Sequence, residues 1–368
     1  MQQDMHYYAI GVLAKAAGFN QQDALTIAYA SQYVDNATEG DVIKVESNGV
    51  EFNFEPSRTA YDPLKLNQGL QSSGWSAQKR VWIPFHFLPP RPFDPAHPQF
   101  SYVTEPDSPL SRMLLERAAS EPAEKRRLCR IGVALHTYAD TFSHQRFSGR
   151  KNQHENDVET ICLWDKEKGD YDKLKIENVL LDALPWVGHA EAGVFPDLTY
   201  LKWKYTSRQS SEPVERDNTA TFLTASKAIY DWLCTIAPGP PVLEWEGEEG
   251  LGTRVHKVLI GHKYTPGSIH LSALPGYRLY RELDLKKRCE NWQNEFSTMF
   301  DPPERFSYDP KEWRENALEG DTDWENWDSK DWSRMTFSID THTFWDSLWV
   351  HFHRAVLLQR HFVLENLP

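Results

Sequence analysis

Three side chains set the chemical question. His136, Asp140 and His144 lie in the run Ala134-Leu135-His136-Thr137-Tyr138-Ala139-Asp140-Thr141-Phe142-Ser143-His144-Gln145. Their spacing is i, i+4, i+8. In a helix each step of four drifts only about 40°, so all three share one face. Leu135, Tyr138, Ala139 and Phe142 occupy the other faces, which predicts a helix buried on most sides. Unpaired imidazole and carboxylate are costly in such a setting, so this face needs partners. Neutral imidazole and ionised carboxylate are the ligands that divalent ions take. His136 and His144 are separated by about 12 Å along a regular helix, too far to share one ion. The pattern therefore points to two or three metals, or to one histidine with a different task. A metal-free buried polar network is the other reading.

The stretch resembles the metal-binding helix of the zinc-dependent phospholipase C and P1-type nuclease superfamily. Those proteins are mainly α and bind three zinc ions in a cleft. Their helix supplies a His, an Asp four residues later and a further His. His136 and Asp140 match, and His144-Gln145 resembles the later His at a spacing two residues shorter. Other positions follow the same order: His6 in Met5-His6-Tyr7-Tyr8, Asp35 at the end of Ala30-Ser31-Gln32-Tyr33-Val34-Asp35, and His86 in Phe85-His86-Phe87-Leu88-Pro89. The resemblance covers about residues 1–200 and implies that Asp35, His86 and His136 hold one metal. It implies that His6 and Asp140 hold a second. For a third, it implies His144 with a downstream His and acid. His189 and Asp197 are the favoured pair, because the surrounding glycine and proline let an irregular loop turn its side chains inward. His154, Glu155 and Glu159 are the alternative, although that charged segment also reads as a solvated helix face.

In the superfamily the terminal amine and a first-residue Trp also help to hold a metal. Here the sequence begins Met1-Gln2, and Asp4, two residues before His6, is the carboxylate expected to take that place. Asp4 and Glu155 are also the spare carboxylates available as general bases. His256, His262, His270, His351, His353 and His361 have no counterpart and are left out of the site.

The resemblance implies a hydrolase of phosphoesters that uses two or three Zn²⁺ ions. Clustered divalent ions lower the pKa of bound water and stabilise charge on attacking and leaving oxygens. Two rivals stand beside it. One is a metalloenzyme of different chemistry that tailors a small intracellular metabolite, with the many Trp and Tyr lining an apolar pocket. The other is a non-catalytic helical protein whose site is structural or decayed, with Trp324, Trp327 and Trp332 as a partner surface. A structural site is normally closed by four ligands, whereas this set is larger and spread over five segments.

The elements that must position these residues are mostly helical. Helices are expected over 5–18 and 21–35, the latter with Ala24, Ile27, Ala28 and Ser31 on one side. Asn48-Gly49 between two alternating runs predicts a hairpin over 42–54. The proline-rich 84–109 is expected to be extended. A helix follows over 110–147, broken at Glu121-Pro122, then a short helix over 171–184 and a loop over 185–205. Helices over 217–236, 278–300 and 342–366 complete the set, with loop and short strands over 237–270. The expected architecture is a mainly α, phospholipase C/P1 nuclease-like bundle with a small β-hairpin insertion and extra C-terminal helices. Residues 1–236 are expected to form the metal-binding part, and 237–368 an extension packed on it within one continuous domain.

Composition sets the bounds. The 368 residues carry 40 Lys and Arg against 53 Asp and Glu, a net charge of −13. That balance argues against wrapping nucleic acid and leaves a small-molecule or lipid-like substrate as the expected partner. No apolar run approaches the roughly 18 residues of a membrane span. The start lacks a basic segment followed by an apolar stretch and a cleavage site, and Cys129, Cys162, Cys234 and Cys289 form no close pair. Both features read as a cytoplasmic protein with reduced thiols.

Overall fold

Small side chains decide which helices touch. The chain opens with a wide helical turn, Asp4–Ala9, that runs into α1 (Ile10–Ala17) and stops at Gly18 in the left-handed region, φ +112°. Asn20 caps the next helix, α2 (Gln21–Asn36), by accepting from the Asp23 N–H at 2.9 Å. Further on come α3 (Gln78–His86), α4 (Pro109–Ala119) and α5 (Glu124–Ser143). At Gly132 of α5, an added Cβ would sit 2.4 Å from the Ile27 carbonyl oxygen and 2.6 Å from Ala30 Cβ. Only glycine lets α5 approach α2 this closely, and that approach brings His136 against the end of α2.

The computed structural model describes all residues except 48, 62–71, 166–167, 174–186, 208–209, 262–273 and 319–335. It is mainly α, as expected, with two small sheets. The hairpin forms from β1 (Ile43–Ser47) and β2 (Val50–Phe54), paired antiparallel. The second sheet has the order β4-β3-β5-β6, built from β3 (Thr160–Asp165), β4 (Asp170–Lys173), β5 (Lys202–Ser207) and β6 (Ser210–Asp217). It covers a satellite core that includes Phe147, Ile161, Phe195, Trp203 and Tyr205.

The last third is helical and folds back on the first. It contains α6 (Asn218–Ile236), α7 (Leu251–Ile260), α8 (Leu274–Phe296), strand β7 (Thr336–Ser338) and α9 (Leu348–Glu365). β7 pairs parallel with β1, so the hairpin is one part of a three-stranded sheet closed by the C-terminal region. The Trp349 indole N–H donates to Tyr33 Oη at 3.0 Å. Gln359 of α9 donates to the Pro84 carbonyl at 3.0 Å and to Thr137 Oγ1 at 2.7 Å, tying α9 to α3 and α5. One core runs through all of these helices.

Several expected elements differ. Helix α3 continues through Pro84 to His86, where an extended chain was expected. The proline has no N–H to give the carbonyls one turn earlier, and Arg360 Nε donates to one of them, Arg80 O, at 2.8 Å. At the end of the helix Thr137 Oγ1 donates to Phe85 O at 2.9 Å, and Gln359 reaches Pro84 O. The helix expected to run to 147 stops at Ser143, which leaves His144 as its C-terminal cap. Residues 170–173 form β4 rather than the start of a helix, paired through Trp164 and Tyr171 with ring centroids 5.0 Å apart. The remainder of that expected helix lies outside the described residues. In 237–270 the described regular element is α7, not strands: Leu251, Val255, Val258 and Leu259 repeat at helical spacing and are buried. Trp324, Trp327 and Trp332 lie outside the described residues. Among the described residues no helix is long and apolar enough to cross a membrane.

Candidate metal centre

Five segments deliver eight acidic and imidazole side chains to one region. His6 comes from the first helical turn, Asp35 from the end of α2 and His86 from the end of α3. His136 and Asp140 come from α5, with His144 as its cap. His189 and Asp197 come from two single turns, Ala190–Ala192 and Phe195–Asp197, in the loop before β5. They assemble into three groups, each with ligand atoms within 4.8 Å of one another: His6, His136 and Asp140; Asp35, His86 and His136; and His144, His189 and Asp197. Each group could hold a metal ion.

Backbone carbonyls set the direction of four imidazoles. His136 Nδ1 contacts the Ser31 carbonyl at 2.9 Å, His144 Nδ1 that of His86 at 2.8 Å, and His189 Nδ1 that of Gly193 at 2.7 Å. His86 uses Nε2 instead, 2.9 Å from the Thr59 carbonyl. A carbonyl only accepts, so each of these ring nitrogens is the N–H donor. The opposite nitrogen of each ring then carries a lone pair when the ring is neutral. Such outer bonds orient metal-binding imidazoles and fix their tautomer.

The free nitrogens converge on Asp140. Its Oδ2 lies 3.2 Å from His86 Nδ1 and 3.3 Å from His136 Nε2. Its Oδ1 lies 3.2 Å from His6 Nε2 and 2.5 Å from the Met1 amine. Asp35 Oδ1 is 3.7 Å from His136 Nε2 and 3.9 Å from His86 Nδ1. At the other end, Asp197 Oδ1 is 3.4 Å from His144 Nε2, and its Oδ2 is 3.6 Å from His189 Nε2. The Met1 amine links the two ends, 3.2 Å from Asp197 Oδ1 and 3.1 Å from Ser143 Oγ.

Packing holds this arrangement. Arg216 donates to the Ser143 carbonyl at 2.9 Å and the Gln145 carbonyl at 3.2 Å, closing the end of α5 under His144. Asn218 donates to the Phe195 and Leu198 carbonyls at 2.7 and 2.8 Å, fixing the turn that bears Asp197. Gly188 adopts φ +61°, and a Cβ there would strike Phe87 Cζ at 2.1 Å. Phe87 in turn stacks on His144 with centroids 4.7 Å apart.

The electrostatics favour metal ligands. Burial opposes ionisation of Asp140, yet His144, the Met1 amine, His136 and His6 hold its carboxyl well below the usual range. Burial is likewise overcome at Asp197, whose carboxyl is held down by the Met1 amine, His189 and His144. Burial pushes His6 and His189 down to about 4, which keeps both neutral at physiological pH. The His6 ring is fully buried, and neither nitrogen makes a hydrogen bond. Its Nε2 approaches Asp140 but outside hydrogen-bond geometry. Asp197 Oδ1 is in the same state. Each such atom costs about 1–3 kcal/mol when left unsatisfied, and a cation among the three groups would satisfy both. The residues present therefore fit a metal centre.

The two expected general bases stand apart from these groups. Asp4 is buried and ion-paired through Oδ2 with Arg288 of α8, which also bonds Asp284 at 2.9 Å. The Met1 amine, not Asp4, lies against Asp140 and Asp197. Glu155 lies 3.6 Å from Arg150 through Oε1, outside all three groups. His154 and Glu159 are exposed, whereas His189 and Asp197 meet His144. Sequence reasoning missed the carbonyls of Ser31, Thr59, His86 and Gly193, because a backbone oxygen leaves no trace in residue type.

The groups open onto a cavity of about 470 Å³, lined by Asp35, His86, Asp140, His144, His189 and Asp197, with Tyr61, Trp82 and Phe87 as aromatic walls. Fold and site thus define a mainly α protein with buried His/Asp groups suited to metal. The chain belongs to a family of unknown function, DUF6765, which matches residues 1–367. Searches of curated proteins and of solved structures return no significant match.

Proposed function

We propose that this protein is a metal-dependent hydrolase with a clustered zinc site that cleaves a phosphoester. The observation that carries the reading is the joint membership of His136 in two ligand groups, with a third group completed by Asp197 across the cavity. The group of Asp35, His86 and His136 and the group of His144, His189 and Asp197 have the membership implied by the resemblance to the zinc-dependent phospholipase C and P1-type nuclease superfamily, and the other adds His136 to the implied pair His6 and Asp140. Bound ions would supply charge stabilisation and an activated water. The chain's own residues would orient them. Four carbonyl-anchored imidazoles present their lone pairs, and Asp140 and Asp197 stay ionised. Trp82, Tyr61 and Phe87 line the cavity and would provide a surface for the organic part of a substrate.

The same aromatic wall favours a second reading, in which the metals act on a small organic metabolite that is not a phosphoester. Elemental analysis of protein purified without chelator or metal-affinity resin tests the shared premise. Two or three zinc equivalents are expected, with a larger loss in His136→Ala than in His189→Ala, because His136 serves two groups. Assays on phosphodiesters and phospholipids then separate the readings. Cleavage that disappears in His136→Ala supports the first, and metal without cleavage of any phosphoester favours the second. A folded protein that takes up no metal overturns both.

A further inference from the structure

The group of His144, His189 and Asp197 is divided between two parts of the chain. His144 closes α5, whereas His189 and Asp197 stand on the single turns before β5. His144 Nε2 and Asp197 Oδ1 are 3.4 Å apart. A gap of that size is set by whatever fixes the two backbones against each other.

Three consecutive residues at the junction of β6 and α6 do this. Arg216 and Asn218 are buried and Asp217 between them is exposed, so the outer two side chains turn inward together. Arg216 donates Nη2 to the Ser143 carbonyl at 2.9 Å and to the Phe142 carbonyl at 3.4 Å, and Nη1 to the Gln145 carbonyl at 3.2 Å. These carbonyls flank His144, where a helix runs out of N–H partners, and the negative end of the helix dipole favours a cation there. Asn218 donates its amide to the carbonyls of Phe195 and Leu198, on either side of Asp197, at 2.7 and 2.8 Å. Its Oδ1 accepts the Trp203 indole N–H at 3.1 Å, which fixes the orientation of the amide. Trp203 is fully buried and pairs with Arg216 across β5 and β6, its ring 5.9 Å from the guanidinium. Each of the two anchors therefore grips backbone directly beside a ligand residue, and one short segment carries both. Neither anchor lines the cavity, so neither would touch a substrate.

We propose that Arg216 and Asn218 are positioning residues for a divalent cation held by His144, His189 and Asp197. The inference rests on the metal reading above. Zn²⁺ titration and elemental analysis of the full chain test it in wild type, His189→Ala, Asn218→Asp, Arg216→Met, Arg216→Lys and Asp217→Ala. His189→Ala identifies the ion of this group as the one it loses. Asn218→Asp keeps the shape of the side chain but replaces its donor with an oxygen that repels both carbonyls. That same ion should bind about 10- to 100-fold more weakly in Asn218→Asp and Arg216→Met, the range for a lost partner of a ligand, while the ions that depend on His136 remain. Arg216→Lys, which keeps the charge, should fall between Arg216→Met and wild type. Asp217 accepts only the Ala220 N–H, at 3.0 Å, as the cap of α6. Asp217→Ala should therefore lower the urea midpoint and keep the wild-type metal affinity, which separates positioning from stability. If Arg216→Met does not fold, Asn218→Asp decides. Wild-type affinity in Asn218→Asp, an equal loss in Asp217→Ala, or a His189→Ala chain that binds as many ions as wild type would overturn the proposal. Failure of the metal reading looks different: wild type itself would take up no ion, and both would fall together.

Discussion

His136 Nε2 and His86 Nδ1 face each other across 3.2 Å. Each ring donates its other nitrogen to a carbonyl, Ser31 for His136 and Thr59 for His86. Two neutral rings would therefore oppose lone pair to lone pair, with Asp35 Oδ1 close to both. Either a proton or a metal ion must lie between them. Asp140, with Asp35 in support, raises His86 above its usual value against the pull of burial, which favours a proton on that ring when no metal is bound.

Metal binding should consequently release protons. Titrating the metal-free protein with Zn²⁺ in two buffers of different ionisation enthalpy should give heats that differ between the buffers, because binding displaces the proton shared by this pair. His86→Ala should reduce that difference. Binding heats independent of buffer would show that no proton occupies the site.

The approach of α5 to α2 at Gly132 is as important to the site as the ligands themselves. Gly132→Ala should destabilise the fold by about 1–3 kcal/mol, because the new Cβ meets backbone rather than a flexible side chain. It should also weaken metal uptake, since His136 depends on the Ser31 carbonyl across the same contact. Urea midpoints and metal titration of the one variant check both effects. Wild-type values in both would mean that the helices can separate freely.

Asp4 and Arg288 should behave as a structural pair. Arg288→Met would leave the buried Asp4 without its cation and should cost about 3–5 kcal/mol. Asp4→Asn should lower the urea midpoint while leaving metal content and the pH profile of any activity unchanged. A lost pH limb in Asp4→Asn would restore Asp4 as a general base.

His353 reports on acid stability away from the metal centre. Burial pushes it down to about 3, and its Nδ1 accepts the Ser57 N–H at 3.0 Å. The folded value lies below the unfolded one of about 6.5, so acid favours the unfolded chain. Its stabilising contribution is fully present above about pH 6.5. It falls by up to roughly 1.4 kcal/mol per pH unit as the pH drops toward 3. Histidine NMR should show the His353 ring neutral at pH 5. A midpoint near 6.5 would contradict the burial.

His136, Asp140 and His144 were legible from residue type and spacing, because ligand chemistry and helical period are local properties, whereas His6, Asp35 and His86 entered only through the resemblance to the zinc-dependent phospholipase C and P1-type nuclease superfamily. Legible too were α2, the β1–β2 hairpin and the break before α5, each marked by apolar spacing, a turn pair or a proline. The helical course through Pro84 was not legible, because it depends on Thr137 and Gln359 reaching carbonyls from elsewhere in the chain. The partnership of β1 with β7, nearly 300 residues away, has no local signal either. Likewise, the sequence alone left the third ligand group open between two segments. Arg216, Asn218, Gly188 and Phe87 turn His189 and Asp197 toward His144, and they do so by contacts that exist only once the loop is packed.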